Sequence, residues 1–279
     1  MPIQVQHGTY KLPAAEPELA YTIYMPDADG PPHAATISKL ALVAHPLGRL
    51  GGNRNDHVVK SIALSLASEN FVVLAYDSRG AGESTGSPSF SLVPESEDYS
   101  VMLHKVLLPI ATTKSTASPP AKPLSSLSLA LVGYSAGSAA STMTDVDLDV
   151  VCNCMPSLER VSVTRVLVSY PLSVMWALTL FRSTAFSSKL ERNVTVSSSA
   201  NAESTKIQLR DQTLAVYGTN DQFTSVARYD AWSNRLKQQS QNSNKWNDLR
   251  VDGADHFWRD KACKGRLLGA IEQFCGRGE

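Results

Sequence analysis

A pentapeptide of small residues around one serine, Gly133-Tyr134-Ser135-Ala136-Gly137, offers a possible nucleophile. It follows the apolar run LSLALV and opens the small-residue stretch SAASTM, so it lies between a predicted strand and a predicted helix. A serine at such a sharp turn adopts a strained backbone conformation, which leaves room only for glycine two residues to either side. The turn lifts the hydroxyl out of the sheet. We therefore interpret Ser135 as a nucleophile, with a Gly/Ser turn without chemistry as the alternative.

A serine hydroxyl is a poor nucleophile at neutral pH and needs a base held by a third group. Four of the six histidines lie in N-terminal segments or within predicted helices: His7, His33, His57 and His104. His256 lies in VDGADHFW, just after the last predicted strand, at the carboxyl edge where Ser135 also emerges. We expect His256 to be the base and His45 to brace its own loop by hydrogen bonding. The alternative for His256 is a capping or packing role.

Asp221 is the predicted acid that orients the base. It lies in YGTNDQF directly after the run TLAVY, so it too is expected at the carboxyl edge, one strand before His256. Asp255 is a rival, but its position next to His256 in the chain makes a hydrogen bond to that ring awkward. Weaker candidates follow the helix after Ser135: Asp145, Asp147 and Asp149. The alternative for Asp221 is a solvated turn residue, which is common in Asn-Asp sequences.

A glycine-rich segment, HPLGRLGGN, follows the predicted strand LALVA and precedes a helix. Backbone of this kind can turn an N–H group toward a nucleophile and complete an oxyanion hole with an N–H at the start of the next helix. We expect these donors to be the N–H groups of Leu47 and Ala136.

The loop YDSRGAGES follows the predicted strand FVVLAY, and its Asp/Arg pair and glycines are typical of a tightly hydrogen-bonded loop. A dinucleotide site would require phosphates near a helix N-terminus. The chain continues instead through STGSPS, which argues against nucleotide binding.

Apolar runs rich in β-branched residues alternate with amphipathic stretches from about residue 38 onward. The predicted strands are 40–44, 71–76, 127–132, 163–169, 213–217 and 248–251. The predicted helices are 56–67, 95–108, 223–238 and 262–274. This alternation predicts an α/β fold with a mostly parallel sheet covered by helices on both faces. Residues 21–25 are expected to form an antiparallel edge strand.

Two stretches depart from this alternation. Residues 111–126 are rich in Ser, Thr, Pro and Lys and predict a solvated loop. Residues 171–212 are longer than an ordinary connection, and loops of this length usually form a lid or a binding insertion. We expect a short lid over Ser135, with Trp176, Leu178 and Phe181 facing the substrate pocket. The alternative is that these three side chains are ordinary core.

The bulk composition excludes several classes of partner. The 279 residues are expected to form a single domain, and 26 basic side chains balance 26 acidic ones, so no overall charge would recruit nucleic acid. The longest apolar run, near 166–181, is too short and broken for stable membrane insertion. No secretory signal is evident, and we expect a cytoplasmic protein with four free thiols. No His/Cys/Asp cluster has the spacing of a metal site.

Five motifs in this order, HPLGRLGGN, YDSRGAGES, GYSAG, GTND and GADHFW, resemble those of the α/β-hydrolase superfamily, in particular small serine hydrolases without a large cap domain. The resemblance runs from about Leu40 to the C-terminus. It implies about eight strands, no metal and no organic cofactor. It also implies hydrolysis of a small ester, lactone or thioester through an acyl-enzyme. A serine peptidase, an acyltransferase and a non-catalytic ligand receptor on the same fold are alternatives.

Overall fold

The computed structural model describes residues 2–12, 17–26, 37–113, 124–195, 207–240 and 245–276. These residues form an eight-stranded sheet in the order β1-β2-β4-β3-β5-β6-β7-β8. The strands are β1 Ile3–Lys11, β2 Glu18–Pro26, β3 Lys39–Ala44, β4 Val72–Tyr76, β5 Ser126–Tyr134, β6 Arg160–Val168, β7 Gln208–Asn220 and β8 Trp246–Asp255. Strand β2 pairs antiparallel with both β1 and β4, and the other neighbouring pairs are parallel.

Helices cover both faces of this sheet. They are α1 His57–Ser68, α2 Val93–Val101, α3 Leu108–Thr113, α4 Ala136–Met143, α5 Leu148–Cys154, α6 Met175–Leu178, α7 Ser183–Thr195, α8 Val226–Gln239 and α9 Lys261–Gly276. A π-helical segment, Met102–Leu107, joins α2 to α3. Helices α1 and α9 pack on one face, and buried residues of α2, α4, α5, α7 and α8 pack on the other.

Alternation along single strands explains the two layers. In β3, Ala41 and Val43 belong to the core beneath α1 and α9, whereas Leu40 and Leu42 belong to the opposite core. Successive side chains of a strand point to opposite faces, so a parallel strand covered on both sides is apolar throughout. The predicted α/β fold is confirmed, and the two helix layers and eight strands are those that the family resemblance implies.

The edge of the sheet differs from the prediction. Residues 21–25 lie in β2, which is the second strand, because β1 pairs with it on the outside. Strand β1 has mostly exposed side chains and no apolar alternation, so its sequence, IQVQHGTYK, carried no strand pattern. Of the predicted loop 111–126, residues 114–123 lie outside the described residues.

Segment 171–212 is only partly a surface insertion. Helix α7 buries Phe186, Leu190 and Val194 in the core that α4 and α8 share. Residues 208–212 already belong to β7, and 196–206 lie outside the described residues. The expectation of a lid across the whole segment is therefore wrong for α7, because its apolar face packs against the domain core.

A buried ion pair fixes the loop after β4. The carboxylate of Asp77 is fully buried and accepts hydrogen bonds from the guanidinium of Arg54, from its backbone N–H at 2.6 Å, and from the N–H of Glu83 at 2.9 Å. Arg79 in the same loop forms a forked pair with Asp98, at 2.7 to 3.1 Å. These contacts confirm the predicted tightly hydrogen-bonded loop.

Replacing Asp77 with alanine should lower the free energy of unfolding by about 3–5 kcal/mol, because the buried Arg54 guanidinium loses its buried counterion. Urea unfolding of both proteins measures the difference. Glu83→Ala is the matched control: Glu83 binds the same guanidinium from an exposed position, where water screens the charge, so the loss should be much smaller. Equal losses in the two variants would contradict the assigned role of burial.

Candidate active site

Ser135 occupies a strained turn between β5 and α4. Its backbone has φ 54° and ψ −120°, a conformation that costs on the order of 1–3 kcal/mol for a residue with a side chain. Its N–H donates to the carbonyl of Val168 at 2.8 Å, which ties the turn to the neighbouring strand. A Cβ on Gly137 would lie 2.5 Å from the carbonyl oxygen of His45, and one on Gly133 would collide with the backbone of Gly137. The crowding on both sides of the serine is the one that the sequence predicts.

Three side chains form a hydrogen-bonded series at this turn. The hydroxyl of Ser135 lies 2.9 Å from Nε2 of His256, and Nδ1 of His256 lies 2.7 Å from Oδ2 of Asp221. With the Asp221 carboxylate accepting from Nδ1–H, Nε2 is left to accept the serine proton. The imidazole and the carboxylate are almost completely buried, so water competes little for either bond.

The remaining contacts of Asp221 hold its carboxylate in place. Its Oδ1 accepts the backbone N–H groups of Phe223 at 2.8 Å and Thr224 at 3.0 Å. The hydroxyl of Tyr229 lies 3.2 Å from Oδ2 and 2.9 Å from the carbonyl of Tyr170. Two backbone N–H groups therefore hold Oδ1, and the hydroxyl of Tyr229 contacts Oδ2 in addition to the imidazole.

Two further side chains fix the backbone of His256. Its N–H donates to Oε1 of Gln222 at 3.0 Å, and its carbonyl accepts the hydroxyl of Tyr134 at 2.9 Å. Sequence reasoning did not single out these residues. Tyr134 precedes the serine, and Gln222 follows the aspartate, so adjacency to the two motifs was the available signal.

The rival acid, Asp255, is engaged elsewhere. It accepts the backbone N–H of Arg259 at 3.1 Å and the guanidinium of the same residue at 2.5 Å. Partial burial acts to raise its pKa, but the hydrogen bonds and charge of Arg259 outweigh this and hold the pKa below its usual value. Asp255 is thus an ionised partner of Arg259, outside the series at Ser135.

His45 braces the loop after β3. Its Nε2 accepts the backbone N–H of Ser78 at 2.9 Å, and its Nδ1 donates to the carbonyl of Pro46 at 2.5 Å. Burial lowers the pKa of His45, in keeping with a neutral ring that accepts at Nε2.

The loop that His45 braces carries Leu47, and Leu47 and Ala136 line one small pocket together. Ala136 opens α4, where N–H groups have no acceptor within the helix.

A larger cavity of about 350 Å³ opens on Ser135 and His256. Its wall is mainly apolar and includes Leu50, Val174, Leu178, Phe223 and Phe257. A volume at the lower end of the range for ligand pockets, with a mainly apolar wall beside Ser135 and His256, suits a small molecule with an apolar body.

Trp176 and Phe181 do not contribute to this cavity as far as the described residues define it; Leu178 alone of the three expected side chains does. The rings of Trp176 and Phe181 contact each other with centroids 5.6 Å apart, and both are exposed. Helix α6 spans one turn, and Leu180 and Phe181, which follow it, both have positive φ. The expectation that both aromatic rings face the pocket is therefore wrong.

Within the described ranges, no group of three or more His, Cys, Asp or Glu side chains could hold a metal ion. The four cysteines carry free thiols. None of the helices in those ranges has the length and apolar character needed to cross a membrane.

No protein-family model matches the chain, and no curated protein has a significant sequence match to it. Solved structures are similar at low identity. A Xanthomonas campestris protein described as an α/β serine hydrolase without lid is 18% identical, with a TM-score of 0.61 over 99% of this chain and 96% of that one. A Coxiella burnetii α/β serine hydrolase homologue is 17% identical, with a TM-score of 0.58 over 96% of each chain.

A Pyrococcus furiosus esterase is 13% identical, with a TM-score of 0.59 over 99% of this chain and 92% of that one. At such low sequence identity, the similarity to these structures is one of backbone fold, and it extends over nearly the whole of each chain. It is consistent with the strand order and helix layers described above. The chain therefore has the α/β-hydrolase fold.

Proposed function

We propose that this chain is a serine hydrolase that cleaves a carboxylic ester, lactone or thioester through an acyl-enzyme. The observation that carries the proposal is the hydrogen-bonded series of Ser135, His256 and Asp221 at a strained turn that opens on an apolar cavity. Similarity to solved structures described as serine hydrolases and an esterase supports it.

In the first half of the reaction, the oxygen of Ser135 attacks the carbonyl carbon while Nε2 of His256 takes the hydroxyl proton. The Asp221 carboxylate stabilises the imidazolium that forms. We assign the backbone N–H groups of Leu47 and Ala136 as the donors to the oxyanion. His256 then protonates the departing alcohol or thiol, and the acyl group remains on Ser135. Water activated by the same imidazole releases the acid.

The apolar wall of the cavity indicates an uncharged, apolar acyl or alcohol group as the part of the substrate that is bound. Leu50, Val174, Leu178, Phe223 and Phe257 offer no charged or hydrogen-bonding side chain to it, and the carboxylate of Asp56, which also lines the cavity, accepts backbone N–H groups at the start of α1. An anionic group would lose its hydration there without a partner, which is costly.

Labelling with a fluorophosphonate probe tests the proposal, followed by turnover of p-nitrophenyl esters graded by acyl length. We expect the probe to label wild type at Ser135 and to leave Ser135→Ala unlabelled. Binding of a small ligand to both proteins, without turnover of any ester by wild type, would identify a receptor instead. Turnover of an amide or transfer to an added alcohol in preference to water would identify the peptidase or the acyltransferase.

Leu178→Trp should discriminate between acyl lengths, because the larger ring would fill part of the cavity wall. We expect kcat/KM for the octanoate ester to fall about 10-fold or more, while the acetate ester changes little. Leu180→Trp is the matched control, since Leu180 is exposed and does not contribute to the wall formed by the described residues. Equal effects on both esters would contradict this placement of the acyl group.

A further inference from the structure

A second cavity, of about 470 Å³, lies between α6, α7 and α8. It shares no lining residue with the cavity at Ser135 among the described residues, although both border α6: Val174 and Leu178 face the first cavity, and Trp176 faces the second. The rings of Tyr170 and Trp232, which line it, are stacked with centroids 5.3 Å apart and an interplanar angle of 19°. Both rings are almost completely buried, so the flat aromatic surface that the cavity offers to a planar group is the exposed ring of Trp176.

Its polar lining is basic and rich in hydroxyl groups. Arg228 and Arg235 lie two turns apart on α8, and Ser183 and Ser187 lie one turn apart on α7. Glu191 pairs with Arg235 at 3.2 Å. The guanidinium of Arg228 has no acidic partner in the part of the chain that the structure describes. The lining thus keeps one unpaired positive charge beside two hydroxyl donors.

Two aromatic side chains of the lining differ from ordinary core residues: the hydroxyl of one lacks a hydrogen-bond partner among the described residues, and the ring of the other is half exposed. The hydroxyl of Tyr170 is buried and has no hydrogen-bond partner among the described residues, which is unfavourable because the group has lost its hydration. Trp176 keeps 54% of its surface exposed at the side of the cavity. Tryptophan is a frequent anchor where proteins bind partners, because it offers a large flat surface with few rotatable bonds.

We propose that this cavity is a binding site for a small organic anion, with a carboxylate or phosphate group on a planar apolar body. The oxyanion binds the Arg228 guanidinium, whose fork of N–H donors matches two oxygens at once. Ser183 and Ser187 add neutral donors. The apolar body lies against the exposed ring of Trp176. This site does not depend on the function proposed for Ser135.

Isothermal titration calorimetry with three naphthalene probes tests the proposal. The probes are 2-naphthoate, 2-naphthyl phosphate and the neutral 2-naphthylmethanol. We expect at least one anion to bind with a Kd below about 1 mM, and the neutral probe to bind at least about 10-fold more weakly. Binding of one anion alone would identify its head group as the preferred one. Equal binding of all three probes, or no binding, would overturn the proposal.

Variants locate the bound probe. Arg228→Gln should weaken anion binding about 10-fold or more, and Arg228→Lys should weaken it less, because the charge remains while the fork is lost. Arg266→Gln is the matched control, an exposed arginine on α9 at the opposite face of the sheet. Phe223→Ala alters the first cavity and should leave anion binding unchanged. Unchanged affinity in Arg228→Gln, or a loss in Phe223→Ala equal to that in Arg228→Gln, would overturn the placement.

Discussion

Ser135→Ala and His256→Ala should each lower kcat for an ester substrate by roughly five to six orders of magnitude, because each removes the nucleophile or its activation. Two hydrogen bonds join Ser135, His256 and Asp221 in series, so the three groups are expected to act in one step. The double variant should therefore be little slower than either single variant, since effects within one step are not additive.

Pre-steady-state kinetics with an excess of a p-nitrophenyl ester measure this prediction. Wild type should release a burst of p-nitrophenol equal to the enzyme concentration if hydrolysis of the acyl-enzyme is the slower half-reaction. Circular dichroism should show that both single variants remain folded. Ester hydrolysis retained in Ser135→Ala would remove the proposed mechanism, and multiplied losses in the double variant would mean that the two side chains act in separate steps.

Asp221→Asn should reduce kcat by about 10²- to 10⁴-fold. The amide keeps the shape of the side chain, but it loses the charge that stabilises the imidazolium and can present an N–H group to Nδ1. His256 would then carry its proton on the wrong nitrogen for accepting from Ser135. Tyr229 and the two backbone donors would still hold the side chain in place, so the loss reports on charge and tautomer more than on misfolding.

Asp255→Asn is the matched control, since Asp255 is the residue next to the histidine and pairs with Arg259. Its kcat should stay close to that of wild type. Near-normal turnover in Asp221→Asn together with collapse in Asp255→Asn would reverse the assignment.

The strands and the hydrogen-bonded series were predictable from sequence for the same reason. Buried parallel strands have continuous apolar runs, and each run is followed at once by the polar residue that its carboxyl end presents. Ser135 and Asp221 follow the apolar parts of β5 and β7 in this way, whereas His256 follows β8, an edge strand with polar residues along its length. Strand β1 was not predicted, because an exposed edge strand does not need alternating apolar residues.

The side chains that line the cavity were harder to predict. Whether an apolar side chain lines the cavity depends on the direction in which it points from the backbone, and its apolar character does not give that direction. Val174 and Leu178 are four residues apart and so share a side of the turn that α6 forms, whereas Trp176, midway between them, points away. The choice of Trp176 and Phe181 rested on their size and aromatic character alone. The four-residue spacing would have favoured Leu178 over both.

The strained backbone of Ser135 lowers the stability of the fold at the same position that supplies the proposed nucleophile. Its φ and ψ lie in a region that glycine adopts without strain but that is strained for a residue with a side chain. Ser135→Gly would therefore relieve the strain in the turn while it removes the hydroxyl. Screening a library of this chain for thermal tolerance alone would accordingly enrich glycine at 135 and discard the nucleophile. Directed evolution toward heat resistance would have to select for turnover at every round to keep the serine.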